Sequence, residues 1–74
     1  MNGWELLAET LGLDLEEEFI ITDVNGERID ENVYRITEKN GIQYKKPMIP
    51  NWDFQASYLV VNLLSDSYKA VPLN

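Results

Sequence analysis

The side chains of this chain that could do chemistry are its carboxylates. Asp14 and the run Glu16–Glu18 could supply an acid/base group or the oxygen ligands of a divalent cation. Glycoside hydrolysis, for example, needs two carboxyl groups held about 5–10 Å apart across a cleft, and a chain of 74 residues has little material to build one. Because runs of like charge are usually solvated, we interpret this run as a loop that leads into a strand.

Most other catalytic and metal-binding groups are missing from the sequence. It has no histidine and no cysteine, so its serines lack the base of a Ser-His-Asp triad, and the common transition-metal ligands are absent. The stretch Asp23–Glu27 approaches a calcium loop, but counting from Asp23 puts Gly26 at the fourth position, whereas that loop needs its glycine at the sixth. We therefore expect no enzyme activity, no cofactor and no metal site.

Acidic residues are concentrated in the first 31 positions. Ten acids and one base, Arg28, give this segment a net charge of −9, whereas residues 32–74 carry three acids and five bases, a net charge of +2. Non-specific nucleic-acid binding needs clustered lysine and arginine, so we expect no direct nucleic-acid partner and no membrane partner. An acidic surface suits solubility or a basic protein partner.

Hydrophobic spacing predicts two helices. The first covers residues 3–11, with Asn2 as its N-cap and Gly12 closing it. Its apolar side chains recur at i, i+3, i+4 and i+7, namely Trp4, Leu7, Ala8 and Leu11. The second is capped by Asn51 or Asp53 and ends at residues 65–67. We expect it to be covered on most sides, because its apolar stripe is wide: Ala56, Leu59, Val60, Leu63 and Leu64, flanked by Phe54, Tyr58 and Val61.

β-branched and aromatic runs predict the strands. These are Glu18–Asp23, a short piece at Arg28–Ile29, Val33–Glu38, Ile42–Lys46 and Tyr68–Leu73. Asn25–Gly26 predicts a turn, and Asn40–Gly41 predicts the two-residue turn of a hairpin. An irregular connection over Lys45–Asn51 follows, because Pro47 stops the pairing, and Pro72 places the last strand at an edge.

The predicted fold class is α+β, in the order α-β-β-β-α-β. A small antiparallel sheet of three to four strands would pack against two helices in a single domain over residues 1–74. The sequence shows neither a signal-peptide pattern nor an apolar run of membrane-spanning length, so we expect a cytoplasmic location.

An apolar cluster precedes the second helix, and it has two interpretations. Its members are Met48, Ile49, Pro50, Trp52 and Phe54. Large aromatic side chains are usually buried, so we expect the cluster to cap the open end of a small core. Alternatively it forms the centre of a protein interface, where aromatic residues and methionine are enriched. Trp4 has the same two interpretations, and its place on the helical stripe favours the core.

Several segments resemble a known group of proteins. The run Trp4–Leu13, followed by Glu17–Phe19, resembles the start of short uncharacterised proteins carried by prophages and conjugative elements of Gram-positive bacteria. Tyr34–Tyr44 is similar to their central hairpin, and Leu59, Leu63, Leu64, Tyr68 and Pro72 match their closing helix and strand. The resemblance implies a mobile-element protein that binds a host protein. Anti-CRISPR proteins are one such class, and several of them occupy nucleic-acid grooves with carboxylates.

Two functional hypotheses follow. In the first, the protein inhibits or modulates a basic, nucleic-acid-handling host protein, such as a CRISPR effector nuclease, by carboxylate-mediated occlusion. The residues expected to bind that partner are Glu16, Glu17, Glu18, Asp23, Glu27, Asp30 and Glu31. In the second, the protein has a structural or assembly role, and it docks or forms a homodimer through Met48, Trp52, Phe54 or the strand Tyr68–Leu73.

Overall fold

The computed structural model describes residues 3–54 and 58–73. Within them are two helices, α1 (Gly3–Thr10) and α2 (Tyr58–Leu64), and five strands. The strands are β1 (Phe19–Thr22), β2 (Val33–Thr37), β3 (Gly41–Lys45), β4 (Asp53–Phe54) and β5 (Lys69–Pro72). The fold is therefore α+β, as predicted. The sheet has five strands, whereas three or four were expected, and β4 is the strand that was not predicted.

The five strands form one antiparallel sheet in the order β4-β3-β2-β1-β5. The strand β5 pairs with β1 through four residue pairs, from Phe19↔Pro72 to Thr22↔Lys69. In that sheet β5 has β1 as its sole neighbour, which confirms the predicted edge strand. Among these strands β5 is the last in the sequence, yet in the sheet it lies beside β1, the first.

Both helices pack on the same face of the sheet. Leu7 and Ala8 of α1 and Leu59 and Leu63 of α2 belong to one core cluster with the buried strand residues. Those strand residues are Phe19, Ile21, Tyr34, Ile36 and Ile42. Side chains alternate between the two faces of a strand, so this cluster uses every second position and leaves the intervening positions on the opposite face.

The end of α1 follows the predicted pattern. Gly12 has a φ of +74°, in the left-handed region that glycine adopts without strain. The amide of Leu13 donates to the carbonyl of Ala8 at 2.8 Å, and the amide of Gly12 donates to that of Glu9 at 3.0 Å. This pair of bonds is a Schellman motif, and it satisfies two carbonyls that the helix leaves unpaired. The proposed N-cap, Asn2, lies outside the described residues.

The hairpin between β2 and β3 differs from the prediction in its turn. Thr37 pairs with Gly41, so the loop is the three residues Glu38–Asn40, and the two-residue Asn40–Gly41 turn is wrong. Gly41 instead begins β3 with a φ of +71°. A Cβ atom at this position would lie 2.5 Å from Cζ2 of Trp4. Trp4 packs against the core, as expected, and the hairpin needs glycine because that indole covers its backbone.

The region before α2 also differs from the prediction. Asp53 and Phe54 pair with Tyr44 and Gln43 in the short strand β4. A strand residue therefore follows Asp53, so neither Asp53 nor Asn51 directly precedes a helix as an N-cap would. Of the expected wide stripe, Leu59 and Leu63 are buried, whereas Tyr58, Val61 and Leu64 are exposed, so the helix is not covered on most sides. Ala56 lies outside the described residues. No helix in the described ranges is long and apolar enough to cross a membrane.

Candidate binding surface on the uncovered face of the sheet

Three of the seven acids predicted to bind a partner instead stabilise local turns. Oδ1 of Asp23 accepts hydrogen bonds from the amides of Asn25 (2.8 Å) and Glu27 (3.1 Å), which confirms the turn predicted at Asn25–Gly26. Oε1 of Glu17 accepts a hydrogen bond from the amide of Asp14 at 3.0 Å. These carboxylates replace backbone partners in tight turns, as aspartate and glutamate side chains commonly do.

Asp30, the third of these acids, binds a buried side chain. Its Oδ1 accepts from the amide of Asn32 at 2.9 Å, and its Oδ2 accepts from the Tyr34 hydroxyl. Tyr34 is 1% exposed. Burial raises the pKa of the Tyr34 hydroxyl well above its usual range, and the hydrogen bond to Asp30 and the charge of Asp30 raise it further. This pair anchors the acidic loop to the core.

The other four acids do not form one surface. Glu16, Glu18, Glu27 and Glu31 are exposed, and their side chains make no hydrogen bond within the described ranges. The amide of Glu16 donates to the carbonyl of Ile36 at 2.8 Å, so the 14–18 loop lies at the end of the sheet where β2 finishes. Glu27 follows Thr22 and Glu31 precedes Val33, which places both at the opposite end, about 10 Å away along β1.

The face of the sheet opposite the core cluster is covered by neither helix. Eight side chains on this face are half-buried or exposed: Ile20, Val33, Arg35, Gln43, Lys45, Phe54, Lys69 and Val71. Thr22 and Thr37 have the same orientation and are buried. The pairs Ile20↔Val71, Val33↔Lys45, Arg35↔Gln43 and Gln43↔Phe54 place the eight side chains together, because paired residues of an antiparallel ladder share a face. We call this set of eight the open face.

All six basic residues of the chain lie on the open face or at its rim. Arg35, Lys45 and Lys69 belong to it directly, and Arg28 pairs with Thr22, which has the same orientation as Ile20. Lys46 lines a groove with Val33 and Lys45, and Lys39 lines a depression with Arg35 and Gln43. All of the chain's basic residues thus lie on or around one face of the sheet, and the helices on the other face have none.

Trp52 holds the centre of the open face in place. The Arg35 guanidinium carbon lies 4.1 Å from the centroid of the Trp52 ring, and Nζ of Lys45 lies 5.0 Å from it. Both distances fall within the range of a cation–π contact. Nε of Arg35 also donates to Oε1 of Gln43 at 3.0 Å, so the guanidinium is fixed on two sides. Trp52 therefore packs against the sheet surface, and the expectation that it caps the core is wrong.

The apolar residues around Trp52 are exposed. Met48 is 100% exposed, Phe54 71% and Ile49 47%. Met48 also has a φ of +69°, an arrangement that costs a non-glycine residue about 1–2 kcal/mol. Beside them is an open groove of about 640 Å³, lined by Arg28, Glu31, Val33, Lys45, Lys46 and residues 47–50. None of these side chains belongs to the core cluster, so the expectation that they cap the core is wrong.

A second, smaller apolar surface lies between the helices. Leu6 is 57% exposed and Leu64 is 55% exposed, and they border a cleft of about 200 Å³ with Val60 and Thr10. Val61 extends this surface and is 65% exposed. No cation accompanies these residues in the two helices. The two apolar surfaces therefore differ in charge: cations line the groove beside Met48, and none lines the cleft between the helices.

No group of three or more acidic side chains in the described ranges is arranged to hold a metal ion. Sequence reasoning missed Arg35, Gln43 and Lys45 as site residues. The signal was present, because Val33 and Arg35 alternate with the buried Tyr34 and Ile36. Only the pairing of the strands, however, brings them next to Trp52. Comparisons with protein-family models, with curated proteins and with solved structures find no match.

Proposed function

We propose that this domain is a non-enzymatic binding protein that docks on another protein through its open face and the adjoining residues 47–50, which line a groove with Val33 and Lys45. The observation that carries the proposal is that Met48 and Phe54, which lie on either side of Trp52 in the chain, are both exposed, while two cations hold the Trp52 ring in place. Exposed apolar patches of this kind mark interaction sites. Tryptophan and arginine are also the residue types most enriched among those that dominate binding energy.

The cost of this surface to the folded state supports the same proposal. Met48 combines an exposed apolar side chain with a left-handed backbone, and neither feature stabilises the free domain. Burying such a side chain against a partner contributes about 1.5–3 kcal/mol. The surface is therefore unfavourable for the isolated chain and favourable in a complex.

A second candidate function rests on the acids. Glu16, Glu18, Glu27 and Glu31 are exposed and have no side-chain hydrogen-bond partner within the described ranges. In this candidate they bind a basic, nucleic-acid-handling host protein, such as a CRISPR effector nuclease, in the mobile-element setting that the resemblance implies. Its drawback is their division between two ends of the sheet, which prevents one continuous acidic strip.

One capture experiment with four immobilised baits separates the two candidates. The baits are the natural chain, an open-face variant (Met48→Ser with Phe54→Ser), a helix-face variant (Val61→Ser with Leu64→Ser) and an acid variant with glutamine at positions 16, 18, 27 and 31. Proteins retained from an extract of a Gram-positive bacterium are quantified by mass spectrometry. We expect a partner whose recovery falls at least tenfold on the open-face variant, as the loss of about 1.4 kcal/mol or more of binding energy requires.

The other baits are the controls. The helix-face variant removes the same number of exposed apolar side chains, so it should retain the partner. Loss on the acid variant alone would favour the second candidate, and equal recovery on all four baits would contradict both. Thermal melts must agree among the baits, because substitutions at exposed positions change stability by less than about 0.5 kcal/mol. Sedimentation of the free baits tests whether the partner is a second copy.

A further inference from the structure

We infer that the partner presents an extended segment in which a carboxylate and apolar side chains lie side by side, and that Arg35 holds the carboxylate. This inference rests on the proposed function and specifies the chemistry of the partner. Two contacts fix the orientation of the Arg35 side chain on the open face. Its guanidinium lies 4.1 Å from the Trp52 ring centroid, and Nε is bound to Gln43 at 3.0 Å.

The unused atoms of Arg35 define what it can bind. Its two terminal nitrogens have no hydrogen-bond partner within the described ranges. They form the end of a planar fork that matches the two oxygens of a carboxylate. Because Trp52 and Gln43 already restrict the side chain, less conformational entropy is lost when the fork binds. Arg35 is thus prepared for bidentate recognition of an anion.

The surroundings of Arg35 favour a limited negative charge in the ligand. Lys45 shares the Trp52 ring, and Lys39 lines the same depression as Arg35. That depression also includes Glu16 and Glu38, and the groove on the other side includes Glu31. One or two carboxylates placed centrally meet cations, whereas a longer run of negative charge meets these acids at either end.

The groove beside Arg35 specifies the apolar part of the ligand. Val33, Pro47, Met48, Ile49 and Pro50 line it next to Lys45 and Lys46. Val33 is two residues from Arg35 on the same strand, about 7 Å away. Alternate side chains of an extended segment have the same spacing, so one could enter the groove while another reaches Arg35.

A single-stranded nucleic acid fits this surface less well. Such ligands need aromatic faces on which successive bases stack, together with a basic groove that follows several phosphates. Two cations already lie over the Trp52 ring, and the chain has a net charge of −7. An acidic and apolar peptide needs neither a free indole face nor a continuous row of cations.

The test is selection from a randomised twelve-residue peptide library displayed on phage, with the natural protein immobilised. We expect the enriched peptides to share an aspartate or glutamate next to apolar residues. Synthetic copies are then titrated against the natural protein and against Arg35→Lys, Arg35→Gln and Lys69→Gln. Replacing the peptide carboxylate by its amide, or Arg35 by lysine or glutamine, should weaken binding by roughly tenfold or more, since a charge-assisted hydrogen bond is lost.

The variant Lys69→Gln is the matched control, because it removes one charge from the open face without touching Trp52 or Gln43. If Lys69→Gln and Arg35→Gln weakened peptide binding equally, the effect would come from the net charge of the protein alone, and the inference would be overturned. So would enriched peptides without carboxylates, a library with no enriched peptides, or a ten-nucleotide oligothymidylate that binds the open face more tightly than any peptide. If those results coincide with partner capture that still depends on Met48 and Phe54, the proposed function stands and only the carboxylate inference fails.

Discussion

At the scale of single residues, the acids of this chain divide by role. Sequence reasoning treated Asp30 as a partner-binding carboxylate, whereas it accepts hydrogen bonds from the Asn32 amide and the Tyr34 hydroxyl. A buried hydroxyl needs such a partner, because an unpaired polar group away from water costs free energy. Composition cannot distinguish a carboxylate used in this way from one exposed to solvent.

Replacing Tyr34 by phenylalanine should lower stability at neutral pH and flatten its decline at high pH. The substitution removes a hydrogen bond to a charged group, a loss of about 1.5–3 kcal/mol. Because burial and Asp30 raise the pKa of the folded hydroxyl, folding holds its proton more tightly than the unfolded chain does. This contribution is complete below the unfolded pKa of about 10 and is lost as the pH rises above that value.

Urea unfolding of both proteins at pH 7 and at steps from pH 9 to 11 measures this difference. Lysine titration affects both proteins alike, so the difference between the two stability curves isolates Tyr34. If the two stability curves declined in parallel above pH 10, the Tyr34 hydroxyl would not be the group whose pKa folding raises.

At the scale of elements, the β2–β3 hairpin depends on a contact from outside itself. Its glycine was predicted for a local reason, as half of a two-residue turn. In the structure Gly41 begins a strand, and the indole of Trp4 from α1 lies directly over it. The two segments are 37 positions apart in the chain, so no local pattern could reveal the contact.

Substituting Gly41 by alanine should therefore cost more than substituting Gly26. Both glycines have positive φ, so both variants should lose about 1–2 kcal/mol to backbone strain. At Gly26 a Cβ would meet nothing within 4 Å, whereas at Gly41 it would lie 2.5 Å from Trp4. Displacing that ring adds roughly 1–3 kcal/mol of overpacking. Chemical unfolding measures the free energy of unfolding of the two variants. Equal losses of stability would show that the Trp4 ring moves away from position 41 at no cost in free energy.

At the scale of the whole molecule, the edges of the sheet determine how the domain avoids pairing with itself. The amide of Leu73 donates to the carbonyl of Glu18, at 3.2 Å. Since amides alternate in direction along a strand, position 72 is directed away from β1, toward the free edge. Proline at that position has no amide hydrogen to offer. The edge strand thus lacks a donor where another chain would pair.

Replacing Pro72 by valine restores this donor, and we expect the variant to self-associate as its concentration rises. The exposed Val71 would add apolar contact to the new pairing. Sedimentation velocity at micromolar to millimolar concentration measures the change. Leu73→Val is the control, since it alters a neighbouring exposed side chain without adding an outward amide. A Pro72→Val protein with the sedimentation coefficient of the natural chain at every concentration would refute this role for the proline.

The amino-acid sequence by itself determined the α+β class, the helix α1 to within one residue of its end, its Gly12 closure, the strand β1 and the edge position of β5. These features depend on hydrophobic period and on backbone restrictions of glycine and proline, which act within a few residues. The tertiary structure alone decided that β4 exists, that α2 is exposed on one side, and that all six cations lie on the open face or at its rim. Strand pairing is the reason, because it joins residues as distant as Thr22 and Lys69 and thereby sets which side chains become neighbours.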